Sequence, residues 1–212
     1  VLADGYIANA AEPWKIPDVD SLPDLSPNFR TDPEGFHPFQ RDEKTLARAW
    51  AIPGTPGLQH RIGGIERGAN DGHISYEPEN HQDMTNFRAE KIARIADDRP
   101  AITPDRGNTS GKLGIVGWGS TFGAINGAVN ELIKAGEDVA HIHVRQMSPL
   151  PNGFEDLLRS YDQILVPEMN MGQLVKLIRA EYLIDAKGLN QVTGKPFKVG
   201  KIKQTALDML EN

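Results

Sequence analysis

The clearest alternation of apolar and polar positions runs from Leu113 to Val144. Leu113–Val116 is a short apolar run, Gly117-Trp118-Gly119-Ser120-Thr121 is a tight glycine turn, and Phe122, Ile125, Val129, Leu132 and Ile133 return at helical spacing. Gly136 ends that helix, and Lys134 in its last turn favours the negative end of the dipole. Ala140–Val144 is a second strand, and a crossover of this length joins parallel neighbours with a strong right-handed preference. Downstream the alternation continues. A short helix over 154–161 carries Phe154, Leu157, Leu158 and Tyr161, and a strand follows at Ile164–Pro167. Asn170 is a good N-cap for a helix with Leu174, Leu177, Ile178 and Tyr182, ending near 185–188. A strand over Leu189–Val192, a turn at Gly194-Lys195-Pro196 and an amphipathic C-terminal helix with Ile202, Ala206, Met209 and Leu210 complete the pattern. The fold class is α/β over residues 111–212, with a mostly parallel sheet between layers of helices.

Upstream the pattern changes. Pro13, Pro17, Pro23, Pro27, Pro33, Pro38, Pro53 and Pro56 stand too densely for helices or interior strands, leaving room for a helix only over Asp42–Trp50. Trp14, Phe29, Phe36, Phe39 and Trp50 punctuate this extended connector and need surfaces to bury against. Those surfaces belong either to another domain or subunit or to the chain's own α/β unit. Residues 62–79 read as a glycine-rich polar loop. A helix is expected over 81–97, with Met84, Phe87, Ile92 and Ile95 along one side, and Tyr76–His81 shaping its N-terminus. Pro100, Pro104, Gly107 and Gly111 then break the chain, which puts a domain boundary before Leu113.

Composition narrows the function. The 212 residues are 39% hydrophobic and contain no long apolar run, as expected of a soluble protein with neither membrane span nor secretory signal. A net charge of -6, with both signs interspersed, gives no basic footprint for nucleic acid. There are no cysteines, so disulfides are excluded and no thiolate-held zinc or iron–sulfur centre can rest on this chain alone. The first residue is Val1, and Val1–Ile7 reads as a strand end running into a loop, the expected look of a piece of a longer polypeptide.

Several motifs bear on chemistry. The turn Gly117–Thr121 leads from strand to helix, so its amides and hydroxyls can cradle a phosphate or carboxylate or can simply turn the chain. It is no dinucleotide fingerprint, because Gly123 comes one residue late and the second strand ends His143-Val144-Arg145 with no acid for a ribose. His141 and His143 alternate on one strand and share a face, with Glu168 at the end of another strand; packing is the commoner fate of such a pair, and no metal is predicted. Between Arg48 and Arg61 two guanidinium groups and the imidazole of His60 sit on a proline-stiffened backbone. They can grip a carboxylate by a bidentate fork, or pair with Glu43, Glu66 or a neighbour's acids.

The succession GIVGWGSTFG, VAHIHVRQMSPLP and ILVPEMNMGQL resembles the C-terminal domain shared by transketolase-like thiamine diphosphate enzymes. More closely, it resembles the alpha subunit of two-subunit 2-oxoacid:ferredoxin oxidoreductases, especially the 2-oxoglutarate type. ADGYIAN, EPWKIPD, GFHPFQRDEKTLARAWAIPGTPGLQHRIGGIE, SYEPENHQDMTNFRAEKI and LNQVTGKPF extend the likeness over essentially the whole chain. The resemblance implies a remnant of the pyrimidine-binding domain at 1–20, a connector at 21–110 and a transketolase C-terminal-like domain at 111–212, with further alpha-subunit domains upstream.

The implied reaction is cytoplasmic oxidative decarboxylation of a 2-oxoacid with coenzyme A, giving acyl-CoA, carbon dioxide and reduced ferredoxin. Thiamine diphosphate and Mg2+ would be held with a beta subunit that also carries the [4Fe-4S] cluster, in keeping with the lack of cysteine here. The glutamate that activates thiamine would lie upstream of Val1, so no catalytic residue is assigned. Arg48 is the nearest match to the family's arginine at the substrate carboxylate, although many relatives have Ser-Pro-Arg where this chain has Arg-Ala-Trp. His60 and Arg61, in the part resembling the family's GLEH pattern, are further substrate candidates, and Ser120 and Thr121 are candidates for touching coenzyme A. Two alternatives remain: a non-catalytic assembly module, and the C-terminal domain of a 2-oxoacid dehydrogenase or transketolase.

Overall fold

The structure is a computed structural model describing residues 9, 11 and 15–211. Trp14, the strand end expected at Val1–Ile7 and most of the remnant expected at 1–20 lie outside the described residues. Two compact units emerge. One comprises Arg48–Ser75 with the described residues up to Asp42, and the other comprises Glu43–Ala47 with the described residues from Tyr76 onward.

The first unit is held by turns and isolated bridges, as its proline density requires. Phe29 pairs with Trp50, Arg41 with Arg48, and Arg67 with Ile74. Arg30 N donates to Trp50 O (2.7 Å), and Gly68 N donates to His73 O (2.7 Å). Gly72 has φ +72°, and a Cβ there would come within 2.5 Å of the Phe39 ring, so the polar loop folds directly against that aromatic. The Phe29 and Trp50 rings lie 6.5 Å apart at a tilt of 39° and remain exposed, Trp50 by 63%. No helix forms over 42–50. Leu46 sits at φ 55°, a conformation an α-helix cannot contain, and Arg94 donates to the carbonyls of Glu43 (2.6 Å) and Lys44 (2.7 Å) in that stretch.

The second unit begins with α1 (Pro78–Ala93), continued by a 3-10 turn over Arg94–Asp98. This helix starts earlier than the pattern implied because Pro78 occupies its first turn, where no backbone donor is needed. Met84 is its one buried residue, while Ile92 and Ile95 stay exposed, so the expected apolar side does not enter a core. Then follow β1 (Gly111–Trp118), α2 (Phe122–Lys134), β2 (Val139–Val144), α3 (Phe154–Arg159), β3 (Tyr161–Glu168), α4 (Gln173–Tyr182), β4 (Lys187–Asn190) and α5 (Val199–Leu210). The four strands form one parallel sheet in the order β2-β1-β3-β4, with Leu113 opposite Val139 and Trp118 opposite Val144.

Strand alternation sends side chains to two cores. Leu113, Ile115 and Leu165 meet Ile125, Val129 and Leu132 of α2 and Ile202 and Ala206 of α5. On the other face Val116, Ile142, Ile164 and Val166 meet Phe154 and Leu158 of α3 and Leu174 and Ile178 of α4. The result is the expected α/β architecture with helices on both faces. Gly117 permits the approach of α2, since a Cβ there would lie 2.3 Å from Ile125 Cδ1 and 2.8 Å from Thr121 Oγ1.

Some boundaries move. β1 continues through Gly117 and Trp118, so the turn proper is Gly119–Thr121. Tyr161 opens β3 opposite Gly111 instead of closing α3, and its hydroxyl donates to Asn108 O. α4 starts at Gln173 with Gly172, not Asn170, at its N-cap; the Asn170 Oδ1 accepts from Gly172 N (2.7 Å) and Gln173 N (2.9 Å) in the loop that leads in. The helix stops at Tyr182 because Leu183 turns left-handed, and β4 lies two residues before its expected place. Among the described residues, no helix is long and apolar enough to cross a membrane.

Candidate functional site

Open parallel sheets bind ligands outside the carboxyl ends of their strands, in the crevice where the strand order reverses. Here the chain steps from β1 to β2 on one side and then crosses to β3 on the other, so that crevice lies between Trp118 and Glu168. It is filled from within. Trp118 Nε1 donates to Glu168 Oε1 (3.1 Å), and the buried carboxylate also accepts from Asn170 Nδ2 (3.1 Å), Leu174 N (2.8 Å) and Val175 N (3.0 Å). An anion seated on the first turn of α4 satisfies orphan donors and the dipole together. The Thr121 hydroxyl is likewise spent on the turn, donating to Trp118 O (2.9 Å) and accepting from Trp118 N (3.2 Å). Of the two hydroxyls nominated for coenzyme A, Ser120 is exposed and Thr121 is buried.

His141 and His143 do share a face, packed against Phe122 with ring centroids 5.0 Å away in each case and 5.7 Å from each other. Glu168 does not join them, since β1 lies between β2 and β3 and the carboxylate is committed to α4 and Trp118. Among the described residues no group of three or more His, Asp or Glu side chains could hold a metal ion. Both nitrogens of His141 and Nδ1 of His143 are buried without a hydrogen-bond partner. Burial, then the neighbouring charge of His143, pushes His141 down to about 4 against an opposing pull from Asp105. Burial and Arg145 lower His143 in the same way, so both rings are neutral at pH 7.

Sequence reasoning passed over Asp105, which lies in the stretch read only as a chain break. Its Oδ2 accepts from His143 N (3.1 Å), and Arg145 forks onto both carboxylate oxygens. Burial raises the Asp105 carboxyl, but the Arg145 and His143 N–H donors outweigh it and hold the group below its ordinary value. The available signal was an arginine directly after a strand, which needs an acid within reach. Beside this pair opens a cavity of about 680 Å³, walled by the 95–105 segment and the loop after β2.

In the first unit, Arg48 and His60 line one pocket of about 230 Å³ together with Phe39 and Trp50. The Arg48 guanidinium lies 4.4 Å from the Phe39 ring centroid, a cation–π contact that fixes the fork. His60 Nδ1 lies 2.8 Å from Leu58 O; with the proton on Nδ1 this bond leaves Nε2 as an acceptor, and the ring packs on Phe36 at 5.5 Å. Neither Arg48 nor Arg61 forms an ion pair among the described residues of the first unit, so the pairing with Glu66 is not made. Arg61 is exposed and does not line this pocket.

No protein-family model matches the chain. It is 42% identical over 210 residues to the 2-oxoglutarate oxidoreductase subunit KorA of Mycobacterium tuberculosis, a match covering 98% of this chain and 32% of that protein. The chain is similar to 2-oxoacid oxidoreductase alpha subunits. Among these relatives, subunit alpha of 2-oxoacid:ferredoxin oxidoreductase 1 from Aeropyrum pernix is 27% identical over 223 residues, covering all of this chain and 34% of its own length. The fold agrees: a 2-oxoglutarate:ferredoxin oxidoreductase from Magnetococcus marinus, with 2-oxoglutarate, coenzyme A and succinyl-CoA bound, superposes with a TM-score of 0.83 at 25% identity. That match covers 92% of this chain and 34% of the other. The chain therefore spans about a third of the alpha-subunit relatives it matches.

Proposed function

We propose that this chain is the C-terminal portion of the alpha subunit of a cytoplasmic, thiamine-diphosphate-dependent 2-oxoglutarate:ferredoxin oxidoreductase. With a beta subunit and upstream alpha-subunit domains, the enzyme decarboxylates the 2-oxoacid oxidatively, transfers the acyl group to coenzyme A and passes electrons to ferredoxin. The observation that carries this reading is the 42% identity to a 2-oxoglutarate oxidoreductase subunit across 98% of the chain. The chain has no cysteine to ligate a [4Fe-4S] cluster, and among the described residues no group of three or more His, Asp or Glu side chains could hold a metal ion. Thiamine diphosphate, the metal and the cluster are assigned to the rest of the enzyme.

Its contribution is recognition. Arg48, braced on Phe39 and without an ion-pair partner, offers two N–H donors to a carboxylate, and His60 on the same pocket wall orients the 2-oxoacid. Arg61 is a weaker substrate candidate because it lies off that wall. Ser120, exposed at the turn, is the polar contact for coenzyme A, and Thr121 holds the turn that presents it. In the complete enzyme Arg48→Ala should raise KM for 2-oxoglutarate about tenfold or more, with thermal stability unchanged. An unchanged KM would remove Arg48 from the site.

A second reading is favoured by the exposed pair Phe29 and Trp50: the chain acts purely in assembly, burying these rings on the beta subunit. Under that reading Trp50→Ser weakens subunit association while Arg48→Ala leaves KM untouched. The dehydrogenase and transketolase alternatives lack support, since the named relatives are 2-oxoglutarate or ferredoxin oxidoreductase subunits.

A further inference from the structure

We propose that the cavity beside the Asp105–Arg145 pair binds a small amphipathic carboxylate. Its volume of about 680 Å³ falls in the range of small-molecule sites. Its apolar part is stiff: Ile95 and Ile102 face the cavity alongside three prolines whose fixed φ leaves the shape preformed.

The polar complement of the walls is one-sided. Asp105 is the sole acid among the lining residues, and both its oxygens are already taken by Arg145 and by His143 N. Arg99 makes no side-chain hydrogen bond or ion pair among the described residues, and the same holds for the hydroxyls of Thr103 and Ser148. His143 is neutral at pH 7 and adds no charge. What the cavity offers a ligand is therefore one uncommitted guanidinium, two hydroxyls, the buried and unpartnered Nε2 of Gln146 and the unpartnered Nδ1 of His143, beside the apolar side chains. A cation is repelled by Arg99, and a purely apolar guest leaves the guanidinium to lose water without compensation. A carboxylate matches the fork of Arg99 with two parallel N–H···O bonds, and a short hydrocarbon body fills the space between the two isoleucines. The inference does not depend on the activity proposed above.

Ile95 and Ile102 report the site directly. In the full chain with 13C-labelled isoleucine methyls, titration with hexanoate should shift Ile95 and Ile102 and leave the core residue Ile202 and the Arg48-pocket residue Ile62 unmoved. Hexanol and inorganic phosphate, each carrying half of the chemistry, should bind about tenfold more weakly. Arg99→Ala should lose about tenfold in hexanoate affinity, and R99K should fall between, since lysine keeps the charge but not the fork. Arg99 is exposed and makes no side-chain bond, so neither variant threatens the fold. The proposal is overturned if Ile95 and Ile102 stay fixed in millimolar hexanoate, if hexanol binds as well, or if Arg99→Ala binds unchanged.

Discussion

Replacing His141 by leucine should stabilise the chain at neutral pH and flatten its response to acid. The imidazole is wholly buried, and neither nitrogen has a hydrogen-bond partner among the described residues. Each buried polar atom left unpaired costs about 1–3 kcal/mol, and leucine, close in volume, removes both from between Phe122 and His143. Allowing for imperfect packing of the new side chain, His141→Leu should gain about 2 kcal/mol at pH 7.5.

The pH dependence follows from linkage. Unfolded, His141 takes a proton near its ordinary 6.5; folded, burial and His143 hold it to about 4. Between those values the unfolded chain binds the extra proton, so stability is fully present above the unfolded pKa and is lost as pH falls towards 4, by roughly 3 kcal/mol in all. Below that the loss levels off. The variant lacks this loss and retains only the shallower dependence due to His143 in the same window, with Asp105 acting below its ordinary 3.8. Urea unfolding followed by circular dichroism at pH 7.5, 6.0, 5.0 and 4.5 reads both effects. Parallel pH curves for the two proteins, or a variant less stable at pH 7.5, would refute the account of His141.

Three further outcomes are expected. Glu168→Gln turns one acceptor oxygen into a donor facing the N–H groups of Trp118, Asn170 or α4, and should cost about 2–4 kcal/mol by thermal unfolding, with Trp118 becoming more solvent-accessible to fluorescence quenchers. Leu183→Gly should stabilise by about 1 kcal/mol in the same assay, because Leu183 is 87% exposed at φ 54° and gives up strain without losing burial. Arg48→Ala in the assembled enzyme should raise KM for 2-oxoglutarate with kcat changed less, read from steady-state rates.

The β1-α2-β2 unit was legible in sequence because an apolar run, a glycine turn and a 3.6-residue repeat each dictate backbone geometry locally. Where the signal was local but ambiguous, boundaries shifted. Tyr161 fits helical spacing after Phe154 and equally begins a strand; pairing with Gly111, fifty residues earlier in the chain, decides it. β4 is a mostly exposed edge strand, Lys-Gly-Leu-Asn, with too little apolar alternation to mark its start. On α1 the apolar positions were visible, but only the surroundings settle that Met84 alone is buried.

The candidate sites divide along the same line. That Arg48 and His60 could act together was readable from the stiff run between them, while the exclusion of the adjacent Arg61 from their pocket depends on the fold of the loop. The shared face of His141 and His143 follows from strand alternation. Their unpartnered nitrogens do not, nor does the grip of Arg145 on Asp105 across forty residues of sequence. Glu168 was visible in sequence only as an acid at a strand end, and its seat on the first turn of α4 depends on the fold.

The proposed role of this chain is in a coenzyme A-dependent 2-oxoacid:ferredoxin oxidoreductase. The most direct test uses the complete alpha subunit containing this chain, purified with its beta subunit under anaerobic conditions, and follows ferredoxin reduction spectroscopically with 2-oxoglutarate. The account predicts reduction that requires both 2-oxoglutarate and coenzyme A and yields succinyl-CoA in step with reduced ferredoxin. Absence of ferredoxin reduction with 2-oxoglutarate, pyruvate and branched 2-oxoacids alike in a cofactor-replete complex would contradict it.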